Sequence, residues 1–530
     1  MTLSPLDLTV VIVYAIGIFG LAQWVSREKP GHVRDTSDYF LASKALPWWA
    51  IGASLIAANI SAEQIVGMAG SGYAIGLAIA SYEWMAALTL LIVGKFFLPI
   101  FLRNEIYTMP QFLEQRYGPS IRTLMAVFWL GLYVFVNLTS IIWLGSIAVN
   151  QVAGIDQDHA LIGLGLFALL YQIRGGLKAV ALTDIVQVTL LVLGGAMVSY
   201  LTLSQIGDGS VLAGFAELTR RAPDKFQMIL SPDNKFYSDL PGISVLVGGM
   251  WIANLSYWGF NQYIIQRALA AKNLKEAQKG IVFAAYLKLL MPVIIVLPGI
   301  AAVVLAPDLS KPDQAYPTMM KLLPPGILGL VFAALVAAII ASTASKINSI
   351  ATIFTLDLYA KGKHQATAAE DGTGSAPGER KLVLVGRITA AVAIVLAMIT
   401  ARPLLGKSDQ AFQYIQEYTG FFTPGIVVIF VLGLFWKRAT EAGALTAAIA
   451  SFVLSLALKY AWPALPFMNR MLVVFVAALV LAAIVSLARP QAAAANRIQT
   501  RDVDYGTTFS FNAASIGVVA ILIALYATWW

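Results

Sequence analysis

The sequence predicts an all-α polytopic membrane protein of fourteen transmembrane helices in a single domain, 1–530. Three observations carry that expectation. Hydrophobic residues make up 59% of the 530-residue chain and charged residues only 12%, too few to cover a water-facing surface. Apolar runs recur along the whole length, and a helix needs roughly 20 such residues to cross the hydrocarbon core. Lys and Arg gather in alternate breaks between those runs.

The first run, 7–26, follows no basic region and contains no small-residue cleavage site, so it reads as a retained spanning helix and not a signal peptide. The others are 46–70, 73–102, 121–150, 159–174, 179–203, 242–266, 279–306, 327–357, 383–400, 410–436, 441–461, 467–488 and 512–529. The shortest, 159–174, has no charge before Arg174. The breaks 27–45, 103–120, 174–178, 267–278, 358–382, 437–440 and 489–511 hold most of the Lys and Arg. The positive-inside rule therefore places them in the cytoplasm and both termini outside, a multi-pass topology for a cell (inner) membrane. Segment 204–240, with its Pro, Asp and Asn, reads as an ordered external loop, and 361–381 as a flexible Gly/Ser/Ala-rich inner linker.

Several function classes are disfavoured. The chain has no Cys, which excludes disulfides and thiolate chemistry. Its net charge of +8 is spread over short breaks with no basic stripe, so nucleic acid is not a partner. His32, His159 and His364 fall in or beside loops, so no histidine relay is expected within the membrane. ARPLLGKS at 401–408 resembles a phosphate-binding loop, but Ala401 stands where its first glycine belongs. Paired acid/base groups and metal-ligand clusters are absent, so an enzyme is not expected and no cofactor is implied. A sensor would need a soluble signalling domain, for which the loops leave no room.

What remains is polar chemistry at membrane depth. The run ASLIAANISAEQIVGMAGSG puts Asn59, Ser61, Glu63 and Gln64 in mid-span. WIANLSYWGFNQYIIQ does the same with Asn254, Ser256, Asn261 and Gln262. Such groups need partners inside the protein. Two interrupted helices at corresponding positions are the pattern of an inverted-repeat transporter, against the plainer reading of polar residues joining helices. Glu83, Asp184, Lys288 and Lys346 are isolated ionisable residues inside spans, each a functional candidate or a member of a neutralising pair. Glu83 lies between Tyr82 and Trp84, a setting that suits a polyol: carboxylates accept hydroxyl hydrogen bonds and rings cover a sugar's apolar face. Ser342, Thr343, Ser345 and Ser349 supply hard oxygens for an alkali cation, or simply pack helices.

Longer stretches carry a resemblance. DYFLASKALPWWAIGASLIAANISAEQIVGMAGSGYAIGLAIASYEWM, GGMWIANLSYWGFNQYIIQRALAAKNLKEAQKGIVFAAYLK and AFQYIQEYTG resemble the sugar branch of the sodium/solute symporter family. GGLKAVALTDIVQ and GLFWKRATEAGA match that family's two signatures, and the similarity runs from about residue 8 to the last helix. The resemblance implies the inverted five-helix-repeat fold of the leucine-transporter type. The first repeat would span 46–203 and the second 242–436, with 7–26 and 441–529 outside them.

It also implies sodium-coupled import of a neutral hexose, galactose or glucose, by alternating access within a lipid bilayer; other solutes of the family are an inositol, an amino acid or a sialic acid. Carried over by position, Gln64, Glu83, Asn254, Lys288 and Gln416 would bind the sugar, with Asn59 nearby. Tyr257 and Trp258 would form the inner gate, and Met68, Tyr82 and Phe412 the outer one. Ala57, Ile60 and Ala338 would offer carbonyls and Ser342 a hydroxyl to Na+, and Asp184 would lie on the ion's exit path. Two positions depart from the family's pattern: Ala86 replaces a serine at the sugar site, and Ala341 replaces the first of two serines at the sodium site.

Overall fold

A computed structural model describes residues 3–25, 46–106, 108–174, 177–360, 379–490, 498–499 and 503–530. Among these, the elements are helical apart from one isolated bridge, Leu46 to Ala271. The longer ones, in chain order, are α1 (Pro5–Val25), α2 (Trp48–Asn59), α3 (Glu63–Ala74), α4 (Leu77–Arg103), α5 (Met109–Arg116), α6 (Pro119–Ala153), α7 (Gln157–Arg174), α8 (Leu177–Ile206) and α9 (Val211–Arg221). Then follow α10 (Gly249–Phe260), α11 (Gln262–Leu269), α12 (Leu274–Leu305), α13 (Ile327–Ala360), α14 (Glu379–Leu405), α15 (Ala411–Thr419), α16 (Thr423–Phe435), α17 (Glu441–Ala461), α18 (Phe467–Ala488) and α19 (Phe509–Trp529).

Each of the fourteen apolar runs coincides with one of these helices or with a broken pair. Nine helices among the described residues are long and apolar enough to cross a membrane, or eleven when two sharply bent pairs count as single spans. The long connection 204–240 is ordered and carries α9, capped by the Ser210 side chain on the Ala213 N–H. Most of the expected linker, residues 361–378, and the whole connection 27–45 lie outside the described residues. ARPLLGKS is the C-terminal end of α14 and the turn after it, not a strand-to-helix loop, so it cradles no phosphate.

The interruptions position everything that matters for function. α2 ends at Asn59 because Ile60 is extended (φ −69°, ψ 111°), and α3 leaves at 68° to it. The second expected break falls at Asn261, also extended (φ −82°, ψ 121°), between α10 and α11. A third, not anticipated, separates α15 from α16 by 46°, with Pro424 opening the second half. At each break the last carbonyls of the first half lose their intrahelical partners. Two wide π turns, Glu63–Gly67 and Tyr133–Leu138, face the same region; such turns insert an extra residue and rotate side chains out of helical register.

α12 lies along both halves of the first broken helix. Glycines permit this: a Cβ on Gly280 would come within 2.9 Å of the Trp48 carbonyl oxygen and 2.8 Å of the Ile51 Cβ, and one on Gly52 within 2.7 Å of the Gly280 carbonyl oxygen. Lys288 falls between these contacts and those that Gly299 makes with α3, so it is delivered to the break itself.

Candidate functional site

Glu83 on α4, Lys288 on α12 and Asn59 at the end of α2 meet at the first break. Lys288 Nζ donates to Glu83 Oε2 at 2.6 Å and also to Asn59 Oδ1. Gln64 Nε2, swung inward by the π turn, donates to the other carboxylate oxygen of Glu83. The Lys288 side chain is completely buried and Glu83 is 3% exposed. Charges so far from water require this degree of mutual satisfaction, because a buried ion without a partner is disfavoured by several kcal/mol. The ammonium also lies over the Trp258 ring, 4.9 Å from its centroid.

Around this pair is a cavity of about 110 Å³. It is lined by all six expected sugar-contact residues, Asn59, Gln64, Glu83, Asn254, Lys288 and Gln416, and by all five expected gate residues, Met68, Tyr82, Tyr257, Trp258 and Phe412. Ala86 lines it too. At the α3 end, Met68, Tyr82 and Phe412 are buried, and Tyr82 stands edge-on to Phe412 at 5.1 Å. Asn254 is held by its own helix, its amide donating to the Met250 carbonyl at 3.1 Å. The hydroxyls of Tyr82, Thr419 and Thr423 line the cavity without a hydrogen-bond partner among the described residues.

A second pocket lies on another side of the same C-terminal end of α2. Ala57, Ala338 and Ser342 line it, with Ala58, Gln187, Val188, Arg267, Ala341, Ser345 and Lys346. Three of the four expected sodium residues thus converge. Ile60 is buried but is not part of the lining. The C-terminal end of a half-helix with unbonded carbonyls faces this region, an arrangement suited to a cation. The side chain of Asp184 lies outside the described residues. Lys346 donates to Tyr263 Oη at 3.1 Å and is attracted by the Glu63 carboxylate.

Tyr263 belongs to both linings and escaped the reading of the residues, as did Tyr133 and Thr423. The available signal for Tyr263 was its place two residues after the polar break at Asn261. Beyond the α3 end, on a connection outside the spans, Asp313 is buried with its carboxylate accepting the Ala411 N–H at 3.1 Å. Burial pushes its pKa up to about 7, against the lowering effects of that N–H and of Lys311. Asp239 is raised to about 6, first by burial and then by the Glu417 carboxylate.

Broken helices around a polar, aromatic-lined cavity, among helices long and apolar enough to cross a membrane, define a membrane transporter. Solved structures agree on the fold. A substrate-bound, outward-open Na+-coupled sialic acid symporter superimposes with a TM-score of 0.75, covering 92% of this chain and 99% of that one at 21% identity. The nucleobase-cation-symport-1 family transporter Mhp1, in a closed conformation, gives 0.55 over 89% of this chain and 100% of that one at 12% identity. The architecture is that of the leucine-transporter type. The model of the sodium:solute symporter family matches residues 39–451, and the chain belongs to that family. It is 50% identical to a sodium/glucose cotransporter of Vibrio parahaemolyticus over 100% of this chain and 99% of that one. It is 34% identical to the sodium/myo-inositol cotransporter 2 of Mus musculus over 86% of this chain and 70% of that one.

Proposed function

We propose that this protein is a sodium:hexose symporter that carries galactose or glucose into the cell by alternating access, with no chemical step. The observation that carries the reading is the buried Glu83–Lys288 pair, edged by Asn59 and Gln64 in an aromatic-lined cavity. Such a set offers a polyhydroxylated solute both acceptors and donors. Sugar hydroxyls would replace some of the bonds these side chains make to one another, and the faces of Tyr257 and Trp258 would cover the ring. Asn254 and Gln416 complete the contacts. Met68, Tyr82 and Phe412 act as the outer gate.

Charge balance favours a neutral solute. Among the described residues, the cavity lining pairs its one ammonium, Lys288, with the Glu83 carboxylate and holds no further cation for the carboxylate of a sialate. The full-length relative that is a sodium/glucose cotransporter points the same way. A second reading, myo-inositol, is favoured by the relatives of that name. Na+ enters as a co-transported ion, held by backbone oxygen of Ala57 and Ala338 and by the Ser342 hydroxyl, with Asp184 on its way out. Its binding stabilises the outward-open state, and the loaded protein then occludes and opens inward. Fourteen crossings, both termini outside and two five-helix repeats, 46–203 and 242–436, complete the arrangement in the inner membrane.

Uptake into proteoliposomes tests this. Labelled galactose and glucose should accumulate under an inward sodium gradient and not when choline replaces sodium, with myo-inositol competing weakly. Equal uptake in choline would refute sodium coupling, and strong inhibition by myo-inositol alone would select the second reading.

A further inference from the structure

Two cations line the second pocket, the Arg267 guanidinium, which donates to Ser54 Oγ, and the Lys346 ammonium. Lys346 lies one helical turn beyond Ser342 on α13, is 5% exposed, and stands over the Tyr263 ring at 4.2 Å and the Tyr133 ring at 5.5 Å. Its hydrogen bond to Tyr263 begins a continuous chain. Tyr263 Oη bonds Tyr257 Oη at 2.9 Å, Asn59 Nδ2 donates to Tyr257 Oη at 3.0 Å, and Lys288 joins Asn59 to Glu83. The chain therefore runs from the wall of the ion pocket to the charged pair of the solute cavity. Glu63, on the cavity side, attracts the same ammonium.

A monovalent cation entering this pocket meets a monovalent cation already tethered in its wall. Both seek the same oxygens, and at such short range in a poorly screened site their repulsion is large. Ala341 sharpens the effect, because one hydroxyl that would favour the entering ion is missing. We propose that Lys346 is an affinity- and coupling-determining residue of the sodium pocket. Sodium must displace its ammonium toward Glu63 to bind, and the altered bond at Tyr263 carries that displacement to Tyr257 and Asn59. This inference rests on the assignment of sodium to that pocket.

The test uses the full chain in proteoliposomes, with sodium titrated against galactose uptake for wild type and for Lys346→Met, Lys346→Gln and Lys346→Arg. Methionine and glutamine are one atom shorter than lysine and remove its charge, and glutamine keeps a donor group facing Tyr263. Sodium half-saturation should fall by about tenfold in both, and should not fall in Lys346→Arg. The galactose KM should lose its dependence on sodium concentration in Lys346→Met and retain it in Lys346→Gln. Should Lys346→Met not fold, Lys346→Gln and direct binding of radioactive sodium by purified protein carry the same measurement.

An unchanged or raised half-saturation in both neutral variants, with wild type sodium-dependent, overturns this role for Lys346 alone. Sodium-independent uptake by wild type overturns the sodium reading and this inference together.

Discussion

Gly299 packs directly on the backbone of α3: a Cβ placed on it would lie 2.1 Å from the Ala69 carbonyl oxygen. No side-chain rotation relieves such a contact, because both partners are backbone. Gly299→Ala should therefore destabilise the purified protein by about 1–3 kcal/mol and lower its Tm. Gly163→Ala is the control, since a Cβ there meets nothing within 4 Å. Equal Tm values for the two variants would show that α12 and α3 are not held in the contact described.

The ion pair predicts a separation of folding from transport. Lys288→Met leaves the Glu83 carboxylate buried and unpaired, a loss of about 3–5 kcal/mol, and should lower the Tm sharply. Adding Glu83→Gln should restore most of the Tm and none of the uptake. Gln64→Ala breaks no ion pair, so it should fold normally and abolish uptake. Measurable galactose transport by the double variant would remove the pair from the solute site.

Ala341 makes a prediction of gain. It lines the ion pocket beside Ser342. Ala341→Ser should add an oxygen and lower sodium half-saturation by roughly fivefold, about the worth of one hydrogen bond. Ser342→Ala should raise it by a similar factor or more. Opposite or absent effects in sodium titrations of uptake would place the ion elsewhere.

Asp313 predicts a pH dependence of stability. Its pKa is raised from 3.8 to about 7, chiefly by burial. The folded protein thus holds this proton more tightly than the unfolded chain does. The associated stability is complete below pH 3.8 and is lost as pH rises to about 7. Asp313→Asn is neutral throughout and keeps an acceptor for the Ala411 N–H. The Tm of the variant minus that of wild type should grow between those two pH values and then level. A difference independent of pH would mean that Asp313 titrates normally.

The sequence carried the spans and the first two breaks because both rest on local composition: apolar runs for one, and Asn59 or Asn261 within such runs for the other. Glu83 and Lys288 stood out because a charge at membrane depth is conspicuous wherever its partner lies. The third break was less visible. Its Gly420 and Pro424 flank Phe421 and Phe422, and no Asn interrupts an apolar run there as at the first two. Gln416 was found by resemblance alone, as polar residues abound near it. The link from Lys346 to Tyr263 joins positions 83 residues apart, and no periodicity encodes a contact of that kind.

The second pocket also has a mechanical meaning. Ala57 and Ala58 come from α2, and Tyr263 and Arg267 from α11; Gln187 and Val188 come from α8, and Ala338, Ala341, Ser342, Ser345 and Lys346 from α13. The glycine contacts hold α12 close against α2 and α3. The pocket is then a joint between that group, with α11, and the α8–α13 wall. With sodium assigned to it as proposed, rocking at this joint would pull the proposed ligands apart in a single movement. Cross-linking α2 to α13 across the joint should stop sodium release and sugar release together.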